Sequence, residues 1–339
     1  MELFNAIFLL SLISTFKRAG GDRDVKCFNL ETCNVLKGIA IIGVFVGHCS
    51  KVFTGVFLYK LFCSLGLFSV SLFFFISGYG LMCSIIKKGK DYRRLFHKKR
   101  IFPLLITYLL SILLCYMITD YRHLTLRDIV LCGYVPFSWY ILSIIALYLM
   151  TYISLFISEK GSVVIIIVSL LLCTFIISAS LINNLPYPLL GGGQMITFVI
   201  GMIVAFFNKL KVIRGGYLYI NILLFSLFWC IQLTNKYVHY HPVLYDMGQY
   251  IMSYTFPFVI FGLLNFFCLR ERMKSIWLRI QKYTLEIYLI HGCILYYALE
   301  NKIWGINSEV AIFVILAITF LLAFIFKNIQ KTIIHHIGK

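Results

Sequence analysis

Charge is scarce in this sequence. Only 13 of its 339 residues are acidic, and charged residues of both signs make up 13%. That is too little to clothe soluble domains of this total length in water. Proline is sparse as well, at 6. Long hydrophilic stretches are missing, so any chemistry must be carried by apolar segments and the short loops between them. The 11 cysteines form no C-x-x-C pair. Most lie inside apolar runs, which speaks against a disulfide framework and assigns them to packing. Neither G-x-S-x-G nor a Walker A loop occurs, which argues against a serine hydrolase and an ATPase.

What is present is hydrocarbon. Hydrophobic residues reach 61% and the mean hydropathy is +0.91. Apolar runs suited to spanning a bilayer, about 20 residues each, lie at 36–54, 61–83, 101–119, 138–158, 162–182, 194–207, 217–234, 249–268, 283–300 and 309–326. The expected fold is therefore an all-α integral membrane protein of about ten transmembrane helices. If the first span runs outward, 25 of the 31 lysines and arginines fall in the inner segments. Lys51, Lys60, Arg122, Arg127, Lys236 and Lys302 remain outside or near the outer edge. The positive-inside rule then places both termini in the cytoplasm and the chain in the cytoplasmic (inner) membrane. The net charge of +18 reads as a topology signal, with basic loops against anionic lipid head groups. A nucleic-acid partner is not expected, because membrane spans separate the basic clusters. The first apolar stretch, MELFNAIFLLSLISTFKR, lacks a signal-peptide cleavage site. It reads as an interfacial helix, with an eleventh span running outside-in as the alternative.

Within the first run, LKGIAIIGVFVGHCSK holds Lys37 and His48 eleven positions apart. Eleven helical steps come to within about 20° of three full turns, so the two share a face, with a rise of roughly 16 Å between them. Lys37 sits at an edge and can snorkel. His48 cannot reach water from the middle of a bilayer and needs a polar partner or a cavity. Gly43 and Gly47 form a G-x-x-x-G step beside it, which admits a close neighbouring helix. A structural interhelix hydrogen bond and a catalytic role both satisfy these facts.

The stretch LKGIAIIGVFVGHCS resembles the first span of the acyltransferase-3 family of polytopic membrane acyltransferases, in which Arg or Lys precedes His by ten intervening residues. GLFSVSLFFFISGYGL is similar to the family's second span, with Ser77, Gly78 and Tyr79 at the Ser-Gly-aromatic step. Ser69, Val70 and Ser71 stand where the family has Gly-Val-Asp, so that aspartate's role does not transfer. RRLFHKKRIFPLL resembles the basic loop leading into span three, ending in Arg100, Ile101 and Pro103, with Lys98 and Lys99 displaced against Arg100. SWYILSIIALYLM supplies Trp139, and YTLEIYLIHG supplies Tyr288 and His291 in the manner of the family's late Ile-Tyr-Leu-x-His motif. The pieces keep the family's order, and the appended hydrolase-like domain that some members carry is not expected here. The domains expected are an N-terminal cytoplasmic or interfacial segment (1–29), a membrane acyltransferase domain (30–327) and a cytoplasmic tail (328–339).

The resemblance implies acyl transfer from acyl-CoA, most simply acetyl-CoA, to a hydroxyl of a cell-surface polysaccharide or lipid-linked saccharide. No metal is expected. His48 is expected as base or nucleophile, with Lys37 beside it meeting a phosphate or the thioester carbonyl. Arg94, Lys98, Lys99 and Arg100 are expected to bind the donor's phosphates, and Ser77, Trp139, Tyr288 and His291 to line the substrate site. Glu286 lies nearer the basic end and reads first as a snorkelling residue. HYHPVLYD holds His241 and Asp246 at another acyltransferase's spacing and half a zinc site. The rest of either pattern is missing, so both are set aside. The rival of a different class is a secondary transporter or polysaccharide exporter relaying protons through His48, Glu286 and His291. Internal repeats and paired broken helices, which transporters favour, are not evident.

Overall fold

The computed structural model describes residues 2–18, 29–52, 59–88, 92, 96–118, 125–130, 134–157, 168, 194–209, 221–229, 242–301 and 308–337. Almost all of these are helical. In lipid every backbone N–H and C=O must be paired within the protein, and a helix does this locally. The elements are α1 (Glu2–Thr15), β1 (Phe16–Arg18), α2 (Leu30–Val52), α3 (Tyr59–Lys88) and a π turn (His97–Ile101) that runs into α4 (Phe102–Ile118). They continue with α5 (Leu126–Val130), α6 (Trp139–Ile157), α7 (Met195–Lys209), α8 (Pro242–Phe266), β2 (Phe267–Leu269) and α9 (Glu271–Ile280). A 3-10 turn (Gln281–Tyr283) leads into α10 (Thr284–Glu300), and α11 (Ser308–Ile337) follows. A further helical run covers 221–229.

Among the described residues four helical stretches are long and apolar enough to cross a membrane: Leu30–Ser50, Ser64–Lys88, His97–Ile118 and Val310–His336. Shorter apolar helices cover Leu3–Thr15, Trp139–Leu155, Met195–Phe207 and Gly248–Leu264. Of the ten runs expected from sequence, eight fall on helices. The run at 217–234 is described only over 221–229, and 162–182 lies outside the described residues apart from residue 168.

The α2 and α3 pair forms the centre of the bundle. The G-x-x-x-G step works as its spacing predicts: a Cβ on Gly47 would meet the backbone of Gly66, and one on Gly43 the Ser69 hydroxyl. The two backbones therefore approach closely beside His48. On its other side α3 interlocks with α7, where Gly78 faces the carbonyl of Phe198 and Gly201 that of Phe75. Thr197 Oγ1 donates to Ser71 O at 3.0 Å.

The start of α2 is fixed by a cap, which sets the depth of Lys37. Asn29 Oδ1 accepts the Thr32 N–H at 2.7 Å, satisfying one of the orphan donors of the first turn. Lys274 of the amphipathic α9 pairs with Glu31 at 2.8 Å and with Glu271 at 3.2 Å, and these carboxylates raise its pKa. Trp277 closes the same corner, with its carbonyl against Gly38 and its Nε1 donating to Thr15 Oγ1 at 2.8 Å. α1 runs alongside the bundle: Phe4 packs edge-on against Phe45 and Phe313, and β1 pairs antiparallel with β2, Phe16 opposite Leu269.

One expectation about cysteine is corrected. Cys115 of α4 and Cys293 of α10 form a disulfide, their Cα atoms 5.5 Å apart, inside the usual bonding range. Cys33 and Cys49 are free and buried, as the packing role predicts.

Candidate functional site

A pair of buried histidines meets from opposite ends of the chain. His48 is 9% exposed and His291 of α10 is 0% exposed. His48 Nδ1 lies 2.8 Å from His291 Nε2, and the rings are nearly parallel with centroids 5.0 Å apart. His291 Nδ1 is 2.9 Å from the carbonyl of Ile287, one turn earlier. That carbonyl only accepts, so Nδ1 of His291 carries the proton and its Nε2, in the neutral ring, is an acceptor. His48 Nδ1 must then donate to it, which leaves Nε2 of His48 as the nitrogen without a proton. Hydrogen bonding thus selects the tautomer whose Nε2 can take a proton or attack a carbonyl.

A short turn at 134–138, entering α6, closes over this pair. Phe137 stacks on His48 with centroids 3.9 Å apart, and its φ is 64°, a conformation that a bulky side chain rarely adopts. The turn is held from two sides. Tyr288 Oη donates to Phe137 O at 2.7 Å, and Gly292 lies so close to the carbonyl of Pro136 that a Cβ would collide with it.

A cleft of about 220 Å³ leads from the other side, lined by Lys37, Ser77, Tyr140, Tyr148, Glu286, Tyr288 and Lys327 among others. Tyr140 shares a hydrogen bond with Ser77 and stands 5.3 Å from Tyr288, ring to ring. The Tyr288 ring is in turn 5.9 Å from His291. The cleft therefore extends between Lys37 and the residues that abut the histidine pair.

Arg100 flanks the entrance. Its Nε donates to Tyr92 Oη at 2.8 Å, and its guanidinium carbon lies 5.8 Å from the centroid of Tyr148, a cleft residue. Arg100 and the Cys33 thiol are the electrostatic neighbours of Lys37, with no carboxylate among them in the described residues. Of the residues that line the cleft, Lys37, Lys282 and Lys327 are cations and Glu286 is the one carboxylate, an excess of positive charge that suits an anionic ligand. Lys98 and Lys99 are exposed on the same π turn and do not line the cleft. Arg94 and His241 lie outside the described residues. Trp139 is partly buried at the start of α6, 6.4 Å from the Phe74 ring.

Sequence reading undervalued Glu286. It does not snorkel: it is 0% exposed, lines the cleft and pairs through Oε1 with Lys327 Nζ at 3.0 Å. Lys327 also donates to Gln330 Oε1 at 3.0 Å, and Gln330 Nε2 reaches Pro103 O and Thr107 Oγ1 at 2.9 and 2.6 Å. Oε2 of Glu286 has no hydrogen-bond partner, which leaves a buried acceptor available to whatever enters the cleft. Phe137 also went unnoticed, since a positive φ at phenylalanine leaves no mark in composition.

Nothing among curated proteins or solved structures matches the chain. The family model described as an acyltransferase domain matches residues 31–328, taking in the histidine pair, the cleft and the 134–138 turn. The chain belongs to the acyltransferase-3 family, and with its long apolar helices it is a multi-pass membrane acyltransferase.

Proposed function

We propose that this enzyme takes an acetyl group from acetyl-CoA and passes it to a hydroxyl of a cell-surface polysaccharide or lipid-linked saccharide. In this reading it has about ten spans in the inner membrane with both termini cytoplasmic. The Lys37 end of the cleft then faces the cytosol, where the donor is made. Arg94, together with Lys98 and Lys99 of the basic turn, draws in the polyanionic nucleotide. Arg100 and Lys37 take its phosphate charge at the entrance. The pantetheine arm follows the tyrosine-lined cleft, where Oε2 of Glu286 accepts one of its amide N–H groups. Ser77, Trp139 and Tyr288 hold the reacting ends near the histidines.

The chemistry is one displacement at the thioester carbonyl. His48 Nε2 removes the acceptor's hydroxyl proton as the oxygen attacks, and the tetrahedral intermediate collapses with cleavage of the C–S bond. The thiolate takes the proton back from His48. His291 keeps His48 in the required tautomer and shares the transient positive charge.

The observation that carries this reading is the chain from Ile287 O through His291 to His48 Nδ1, beside a cleft whose lining holds more cations than carboxylates. Incubation of the purified protein with radiolabelled acetyl-CoA and an extract of cell-envelope glycans tests it. Label is expected in the glycan. Substrate flux across vesicles without label transfer would overturn the proposal in favour of a transporter.

A further inference from the structure

Phe137 lies outside the cleft, yet it touches the one imidazole the proposed chemistry needs. Along α6 the residues after it, Tyr140, Ile144 and Tyr148, line the cleft down to the level of Lys37. Phe137 precedes these residues and does not line the cleft, and it stacks on His48 rather than near Lys37, eleven positions earlier on α2, so it stands at the end of the site away from Lys37. Phe137 is 36% exposed, whereas His48 beneath it is 9% exposed. The contact is built at some expense to the backbone, because φ of 64° is a conformation in which a β-carbon is disfavoured. Such a conformation persists only where the surroundings dictate it. Here they do so through the Tyr288 bond to the Phe137 carbonyl, the Gly292 contact with Pro136 and the Ser138 Oγ bond to Val135 O at 2.6 Å.

We propose that Phe137 is a positioning residue: the 134–138 turn clamps its ring on His48, fixing the imidazole plane and screening it from water until the acceptor hydroxyl displaces the ring. A thioester waiting beside an activated histidine is exposed to hydrolysis, in which water adds to the carbonyl, the C–S bond breaks and acid plus thiol are released. An aromatic cover on the side away from the donor entrance suppresses that loss and reserves the histidine for the acceptor.

The test has two readouts. The first is independent of the acyl donor: the rate at which diethyl pyrocarbonate in water modifies His48, read by mass spectrometry of the peptide that carries it. An aromatic stack contributes roughly 0.5–1.5 kcal/mol, so Phe137→Ala and Phe137→Gly should speed modification by about 2- to 10-fold. Phe137→Tyr keeps the stack and should retain the slow rate. Phe137→Gly also relieves the strained φ, so it folds even if Phe137→Ala does not. The second readout rests on the function proposed above. The ratio of acetyl-CoA hydrolysis to glycan acetylation should rise by a similar factor in Phe137→Ala and Phe137→Gly and be restored in Phe137→Tyr. Equal modification rates in wild type, Phe137→Gly and Phe137→Tyr would overturn the proposal. So would an unchanged hydrolysis ratio in an active Phe137→Gly enzyme. A wild-type protein inert toward acetyl-CoA would sink the donor assignment, while the modification rates still decide the role of Phe137.

Discussion

The hydrogen-bond chain through the two histidines makes a quantitative prediction about His291. Replacing it with alanine removes the acceptor at 2.8 Å from His48 Nδ1 in a place where His291 itself is 0% exposed, so water does not readily substitute. A buried donor left unsatisfied costs about 1–3 kcal/mol. His48 can avoid that penalty by moving its proton to Nε2 or by turning the ring, and either response removes the base from the reacting hydroxyl. If the whole penalty appears in the transition state, label transfer per folded molecule falls roughly 5- to 150-fold in His291→Ala. His48→Ala should lose more, on the order of 100- to 10,000-fold, because the base itself is gone. The double variant should be no slower than His48→Ala, since His291 acts only through His48. His291→Gln, which offers a carbonyl acceptor to Nδ1, should recover part of the loss. Transfer should be measured as initial rates at saturating donor, normalised to the folded fraction. Additive losses in the double variant would refute the chain, because they require His291 to act on substrate by itself. So would wild-type turnover in a well-folded His291→Ala protein.

Three further outcomes follow from the geometry. Arg100→Gln should raise the apparent KM for acyl-CoA about ten-fold, as loss of one charge-assisted phosphate contact implies, while Lys98→Gln/Lys99→Gln changes it much less. Equal effects in steady-state kinetics would place the donor on the exposed face instead. Glu286→Ala should lower thermal stability by leaving the half-buried Lys327 without its carboxylate partner, by roughly 1–3 kcal/mol. Glu286→Ala/Lys327→Met should recover stability but not donor affinity, and recovery of both in melting and binding assays would reduce Glu286 to a structural partner. Gly47→Ala sets a Cβ against the backbone of Gly66 and should destabilise by roughly 1–3 kcal/mol. Gly80→Ala meets nothing within 4 Å and should be neutral or stabilising in the same thermal assay.

The all-helical character of the chain and the need of His48 for a polar partner were legible in the sequence because the bilayer enforces them. An apolar run of spanning length has to be helical, and a histidine eleven residues inside it has to find a polar partner. His291 was legible for the same reason, since it sits in a second such run where nothing else would tolerate it. The remaining features depend on relations that sequence spacing does not encode. Cys115 and Cys293 are 178 residues apart, and neither position differs in kind from the packing cysteines around it. Glu286 looked like an edge residue because its cation, Lys327, is 41 positions further on in another helix.

The basic turn shows most clearly why face assignments from periodicity fail locally. A regular helix advances 100° per residue, and on that basis Lys98, Lys99 and Arg100 cannot be ranked without knowing the phase. The chain resolves the phase with a π turn over His97–Ile101, whose i→i+5 bonding carries one more residue per turn than the α-helix that follows. Ile101 is buried, Arg100 is partly covered and the two lysines are exposed. Pro103 follows directly on the π turn inside one continuous helical run, where it cannot donate a backbone hydrogen bond, and its carbonyl receives Gln330. The α-helical register resumes only after the arginine has been turned toward Tyr92 and Tyr148. The extra residue thus separates one inward cation from two outward ones, which in the proposed reading divides the work of binding a polyanionic donor: exposed charge for capture at long range, and a single oriented guanidinium against Tyr148 of the cleft wall.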